Sequence, residues 1–85
     1  MNILLTGVAG FIGFHTANLL LKKKHSVFGL DNLNDYYDVK LKNARLLQLK
    51  KFKKFYFYKK EIEDKKILNL FKNKKIECII NLAAQ

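Results

Sequence analysis

Apolar residues recur along this chain in two rhythms. Short continuous runs at residues 2–6, 27–30, 55–58 and 78–82 have the length and the β-branched or aromatic content of buried strands. Between them the apolar residues spread to helical spacing. The first such segment, residues 11–23, carries Phe11, Ile12, Phe14, Ala17, Leu20 and Leu21 on its apolar side and ends in Lys22–Lys24, cations that suit a helix C-terminus. The second starts after Asp38, an N-capping residue type, and runs to about residue 51 with Leu41, Ala44, Leu47 and Leu49 facing inward. The third opens at Glu63 or Asp64, with Ile67, Leu68, Leu70 and Phe71 as its apolar face. Strand and helix alternate throughout, the pattern of an α/β fold with a parallel sheet and helices on both faces. Right-handed crossovers then give the strand order 3-2-1-4.

The connection after the first strand is distinctive. Gly7, Gly10 and Gly13 are spaced by three between a strand and a helix. Gly7 suits a sharp turn out of the strand, Gly10 a close approach of the backbone to a ligand, and Gly13 close packing of the helix. In that order the elements form a seat for a dinucleotide pyrophosphate at a helix N-terminus. The competing reading is three glycines in an ordinary turn, which the order strand, loop, helix disfavours. Asp31 ends the second strand, where a carboxylate accepts hydrogen bonds from adenosine ribose hydroxyls and repels a 2′-phosphate. Asn32 comes next, not an arginine, so NAD is expected over NADP. The plainer role for Asp31 is to start a turn.

Composition bounds what else is possible. Eighty-five residues make at most one small domain or part of a larger one. No apolar run approaches the length that spans a bilayer, and the start lacks a secretory pattern. Cys78 is the only cysteine and sits in an apolar run, so a small buried hydrophobe in a reducing cytoplasm is expected. No metal-ligand spacing is visible. The net charge of +10 raises nucleic acid or an anionic membrane as partners. Yet every basic residue except Arg45 is a lysine, the poorer bidentate reader of phosphate and bases, and the lysines group at helix ends and loops. Solvated surface is the favoured reading.

The stretch Thr6-Gly7-Val8-Ala9-Gly10-Phe11-Ile12-Gly13 resembles the opening of extended short-chain dehydrogenase/reductase proteins, the nucleotide-sugar epimerases and dehydratases. Asp31-Asn32-Leu33-Asn34-Asp35-Tyr36-Tyr37-Asp38, continuing into Leu41-Lys42-Asn43-Ala44-Arg45-Leu46, resembles the NAD-dependent UDP-glucuronate 4-epimerases. Asn81-Leu82-Ala83-Ala84-Gln85 is similar to the motif after the fourth strand in that family. The resemblance covers the whole chain and implies that residues 1–85 are the N-terminal half of a Rossmann domain. It implies pyrophosphate contacts from Gly7, Gly10, Phe11, Ile12 and Gly13, ribose contacts from Asp31 and Asn32, and a nicotinamide-side wall from Leu82, Ala83 and Ala84. Where the family has Asp-Leu to meet the adenine, this chain has Glu61-Ile62; the longer acid is expected to reach the adenine amine. Lys24 stands where glycine often ends the first helix, at some cost in stability.

The reaction this resemblance implies is a transient oxidation at the sugar 4-position, with a tyrosine base supported by lysine and a Ser or Thr. The family's Tyr-x-x-x-Lys lies beyond Gln85, so no catalytic residue is assigned here and the chain alone is expected to be inactive. Tyr36 with Lys40, and Tyr56 with Lys60, carry the spacing but fall on the adenosine side or on a strand, and read as structural, as do His15 and His25. The alternatives are a freestanding NAD-binding module, another NAD-dependent nucleotide-sugar epimerase or dehydratase, and a basic nucleic-acid-binding domain. A nucleotide-sugar substrate is expected only in a longer form. The apolar fourth strand is expected to invite self-association.

Overall fold

The computed structural model describes residues 1–31, 39–59 and 75–82. Its elements are β1 (Asn2–Thr6), α1 (Phe11–Lys22), β2 (Ser26–Asp31), α2 (Val39–Leu49), β3 (Phe55–Lys59) and β4 (Cys78–Asn81). The four strands form one sheet in the order β3-β2-β1-β4, and every pair is parallel. This is the expected order, and the strand bounds fall within a residue of the apolar runs. The third expected helix, and Asp38 as a cap, lie outside the described residues.

The register sets the carboxyl ends of the strands level. Thr6 of β1 pairs with Leu30 of β2 and with Asn81 of β4. The Thr6 hydroxyl donates to Asn81 Oδ1 at 2.6 Å and accepts from the Leu82 N–H at 3.1 Å, which ties β4 to β1 just past the ladder. Side chains alternate between the two sheet faces, as a pleated strand requires. On one face Leu5, Val8, Ala9, Val27 and Phe55 pack with Ala17 and Leu21 of α1 and with Leu46 and Leu49 of α2. On the other face Leu4, Phe28 and Leu30 pack with Tyr58 and Ile76. The Phe28 and Tyr56 rings stack there at 4.8 Å, which gives Tyr56 the structural role expected of it.

Helix α1 ends as a Schellman motif. The His25 N–H bonds the Leu20 carbonyl at 3.1 Å and the Lys24 N–H bonds the Leu21 carbonyl at 3.0 Å. This geometry needs a left-handed residue, and Lys24 supplies it with φ 70°.

Three expectations about facing are corrected. In α2, Leu49 is buried as expected, but Ala44 is exposed and Leu41 and Leu47 are 49% and 66% exposed, while Lys42 and Leu46 are buried. The inward face is rotated from the all-apolar one because α2 turns two cations inward, Lys42 onto Asp31 at the end of β2 and Arg45 onto the Ala9 carbonyl in the loop after β1. In α1, Phe11 and Ile12 are exposed, and the buried residues are Gly13, Ala17 and Leu21. Cys78 is half-buried, not buried, because β4 has a strand neighbour on one side alone among the described residues.

Candidate functional site

The segment between β1 and α1 is held from three directions. The Gly7 and Val8 N–H groups both donate to the Leu30 carbonyl, at 2.8 and 3.2 Å, stapling the turn onto the end of β2. Gly7 makes this turn with φ 72°, which a side chain would penalise. Val8 and Ala9 are fully buried, so the loop is anchored by its own apolar side chains. The Ala9 N–H donates to Asp31 Oδ2 at 3.0 Å, and Arg45 Nη1 donates to the Ala9 carbonyl at 3.0 Å. The Gly10 N–H folds back to the Gly7 carbonyl at 3.1 Å, and the Gly10 carbonyl accepts the first helical bond of α1, from Phe14 N–H at 2.8 Å.

The N-terminus of α1 carries no acidic residue of its own. Gly10 occupies the capping position with no side-chain cap, and the first turn holds no acidic residue. The N–H groups of Phe11, Ile12 and Gly13 have no intrahelical acceptor, and the helix dipole adds positive potential in front of them. Gly13 is required for this shape. A methyl group on it would collide with the Gly7 carbonyl oxygen and lie 3.0 Å from Val8 Cα. The close partner of Gly13 is thus the loop backbone, where packing on the sheet was expected. The cradle fits a pyrophosphate: backbone donors at a helix N-terminus, a helix dipole and no acidic residue in the first turn.

Asp31 stands beside the loop at the end of β2. Its side chain is 5% exposed and pairs with Lys42 Nζ at 3.4 Å through Oδ1, while Oδ2 holds the Ala9 N–H. Asp31 therefore shapes the loop, through its bond to the Ala9 N–H, from the end of β2.

The structure brings Gly7, Gly10, Phe11, Ile12, Gly13 and Asp31 together in one place. Leu82 sits just past β4, its N–H on Thr6, at the same edge of the sheet. Asn32, Glu61, Ile62, Ala83 and Ala84 lie outside the described residues. His15 is exposed, with its ring edge-on to Phe11 at 4.6 Å and to Phe14 at 5.1 Å.

Sequence reasoning missed three participants. Lys42 and Arg45 are three apart on α2 and so share a face, and Arg45 is the single arginine of the chain; those were the available signals. Gly29 lies within β2 under Val8, whose methyl carbons would be 2.8 and 3.0 Å from any β-carbon there. A glycine inside an apolar strand marks such a close approach.

Known proteins share both the sequence and the fold of this chain. UDP-glucuronate 4-epimerase from Thermodesulfobacterium geofontis is 48% identical over 83 residues, a match covering 96% of this chain and 26% of that protein. A UDP-glucuronic acid 4-epimerase variant from Bacillus cereus, crystallised with NAD and a fluorinated UDP-glucuronic acid, superposes with a TM-score of 0.88 at 33% identity, over 99% of this chain and 26% of that one. The dTDP-glucose 4,6-dehydratase of Bacillus anthracis, crystallised with NAD, gives a TM-score of 0.85 at 28% identity, over 100% of this chain and 27% of that one. The chain spans about a quarter of the length of these relatives. The model of the GDP-mannose 4,6 dehydratase family matches residues 4–85, nearly the whole chain, and this protein belongs to that family of nucleotide-sugar epimerases and dehydratases.

Proposed function

We propose that this chain binds NAD and is the cofactor-holding N-terminal part of a nucleotide-sugar 4-epimerase acting on UDP-glucuronate. The observation that carries the reading is the glycine loop fixed between Asp31 and Arg45 with an uncapped helix N-terminus beside it. Relatives named as UDP-glucuronate 4-epimerases, with the fold of a homologue crystallised with NAD, support the choice of cofactor and sugar.

In this reading the Phe11, Ile12 and Gly13 N–H groups receive the pyrophosphate. Asp31 and Asn32 accept the adenosine ribose hydroxyls, Glu61 and Ile62 border the adenine, and Leu82, Ala83 and Ala84 line the nicotinamide side. Bound NAD supplies a reversible hydride acceptor, the chemistry a 4-epimerisation needs. The chain contributes orientation and cofactor choice, and the acid–base residues belong to sequence beyond residue 85. A freestanding NAD-holding module is the second reading. A continuation of the coding sequence that encodes Tyr-x-x-x-Lys favours the epimerase, and unrelated sequence favours the module.

Cofactor choice is tested at Asp31. Calorimetric titration of Asp31→Ala should show NAD affinity falling at least tenfold while NADP affinity falls much less, because the carboxylate that repels a 2′-phosphate is gone and the neighbouring Lys42 remains. Equal losses for the two cofactors would sink the assignment.

A further inference from the structure

Residue Ala9 has its two polar backbone groups held by two different charged side chains. Its N–H is on Asp31 at 3.0 Å in a buried bond, and its carbonyl is on Arg45 at 3.0 Å in a part-buried one. The Arg45 guanidinium also lies 5.8 Å from the centroid of the Phe11 ring, in the first turn of α1. These contacts reach across the fold, because Arg45 belongs to α2 and is thirty-six residues from Ala9.

The Ala9 carbonyl is the first half of the peptide that leads into Gly10. In a planar trans peptide the carbonyl and the next N–H point in opposite directions. Drawing the Ala9 carbonyl toward α2 therefore turns the Gly10 N–H away from it, onto the Gly7 carbonyl at 3.1 Å. Gly10 has no side chain to resist rotation of that peptide, so its orientation must be imposed from outside. Gly10 is also the residue from which α1 starts, with its carbonyl on Phe14 N–H at 2.8 Å. A rotated peptide would move the start of the helix and the donors in its first turn.

We propose that Arg45 is a positioning residue for the phosphate loop: by holding the Ala9–Gly10 peptide in one orientation, it presents the first-turn N–H groups of α1 to the dinucleotide pyrophosphate. It acts through the Ala9 carbonyl. The inference rests on the NAD reading proposed above and extends it to a residue on α2, outside the glycine motif.

The test uses purified protein as wild type, Arg45→Met and Arg45→Lys, read by amide hydrogen exchange without ligand and by NAD titration. Met keeps the apolar stem and removes the donors; Lys restores a charged donor. In Arg45→Met, exchange at Ala9, Gly10 and Phe14 should accelerate on the order of tenfold while Leu4, Leu5 and Phe28 are unchanged. NAD affinity should fall by a similar factor, and Arg45→Lys should recover part of both. Unchanged loop exchange, unchanged NAD affinity, or equal acceleration in the strands overturns the role of Arg45, the last because it marks a general loss of packing. Wild-type protein that binds no NAD overturns the cofactor reading itself, and with it the link from this residue to phosphate.

Discussion

Lys24 closes α1 in a conformation that suits glycine. Its φ of 70° brings the β-carbon against its own carbonyl, which costs about 1–2 kcal/mol for an L-residue. The Schellman bonds to Leu20 and Leu21 hold it there regardless. The bond its carbonyl accepts from Lys54 Nζ at 3.3 Å uses backbone alone and survives substitution. Lys24→Gly should therefore stabilise the fold by about 0.5–1 kcal/mol, the left-handed penalty less the extra freedom of glycine in the unfolded chain. A raised urea midpoint at unchanged m-value is the expected result, and a lowered one would contradict it. At this scale much was legible beforehand. Lys24 in place of glycine, the turn at Gly7 and the carboxylate of Asp31 can each be read from a residue type at a position. The second duty of Asp31, holding the Ala9 N–H, was not legible, because it depends on a contact twenty-two residues away that no local pattern encodes.

Element by element, strands were easier to read than helix faces. The central strands β1 and β2 are short runs buried along nearly their whole length, so their apolar character is continuous and their place is marked by polar flanks. The facing of α2 was misread for a specific reason. The apolar spacing of Leu41, Ala44 and Leu47 outlines one stripe, while the fold joins the expected Leu49 to Lys42 and Leu46, with Arg45 between them. Two long cations outweigh the leucines because their ammonium and guanidinium groups find buried oxygens, which hydrophobic periodicity counts as solvent-facing. The two stripes predict opposite outcomes for adjacent leucines. Leu46→Ala should cost about 2–4 kcal/mol through the cavity it leaves, and Leu47→Gln should change stability by less than about 0.5 kcal/mol. Urea unfolding of both variants decides between the faces; a larger loss at Leu47 would restore the original stripe.

On the scale of the whole molecule, topology gathers charge. The crossovers through α1 and α2 return the chain to the same end of the sheet, so the lysine-rich segments after these helices become neighbours. The Lys54 amine reaches the Lys24 carbonyl, and the Val27 N–H bonds the Lys54 carbonyl. These cations lie at the end opposite the glycine loop and add to a net charge of +10. Meanwhile Ile79 of β4 is 63% exposed, and β4 has β1 as its one strand neighbour among the described residues. For the 85-residue chain prepared by itself, the two features oppose each other. Like charge keeps copies apart, and the apolar edge draws them together. Salt weakens the first, since the screening length falls from about 30 Å at 0.01 M to about 10 Å at 0.1 M, and leaves the second intact. The mean mass by light scattering should therefore rise as sodium chloride is raised from about 0.01 to 0.1 M. Ile79→Lys, which places a charge on the edge, should hold the chain monomeric across that range. Association that weakens with salt, or that Ile79→Lys leaves untouched, would show that opposite charges and not the strand edge bring the copies together.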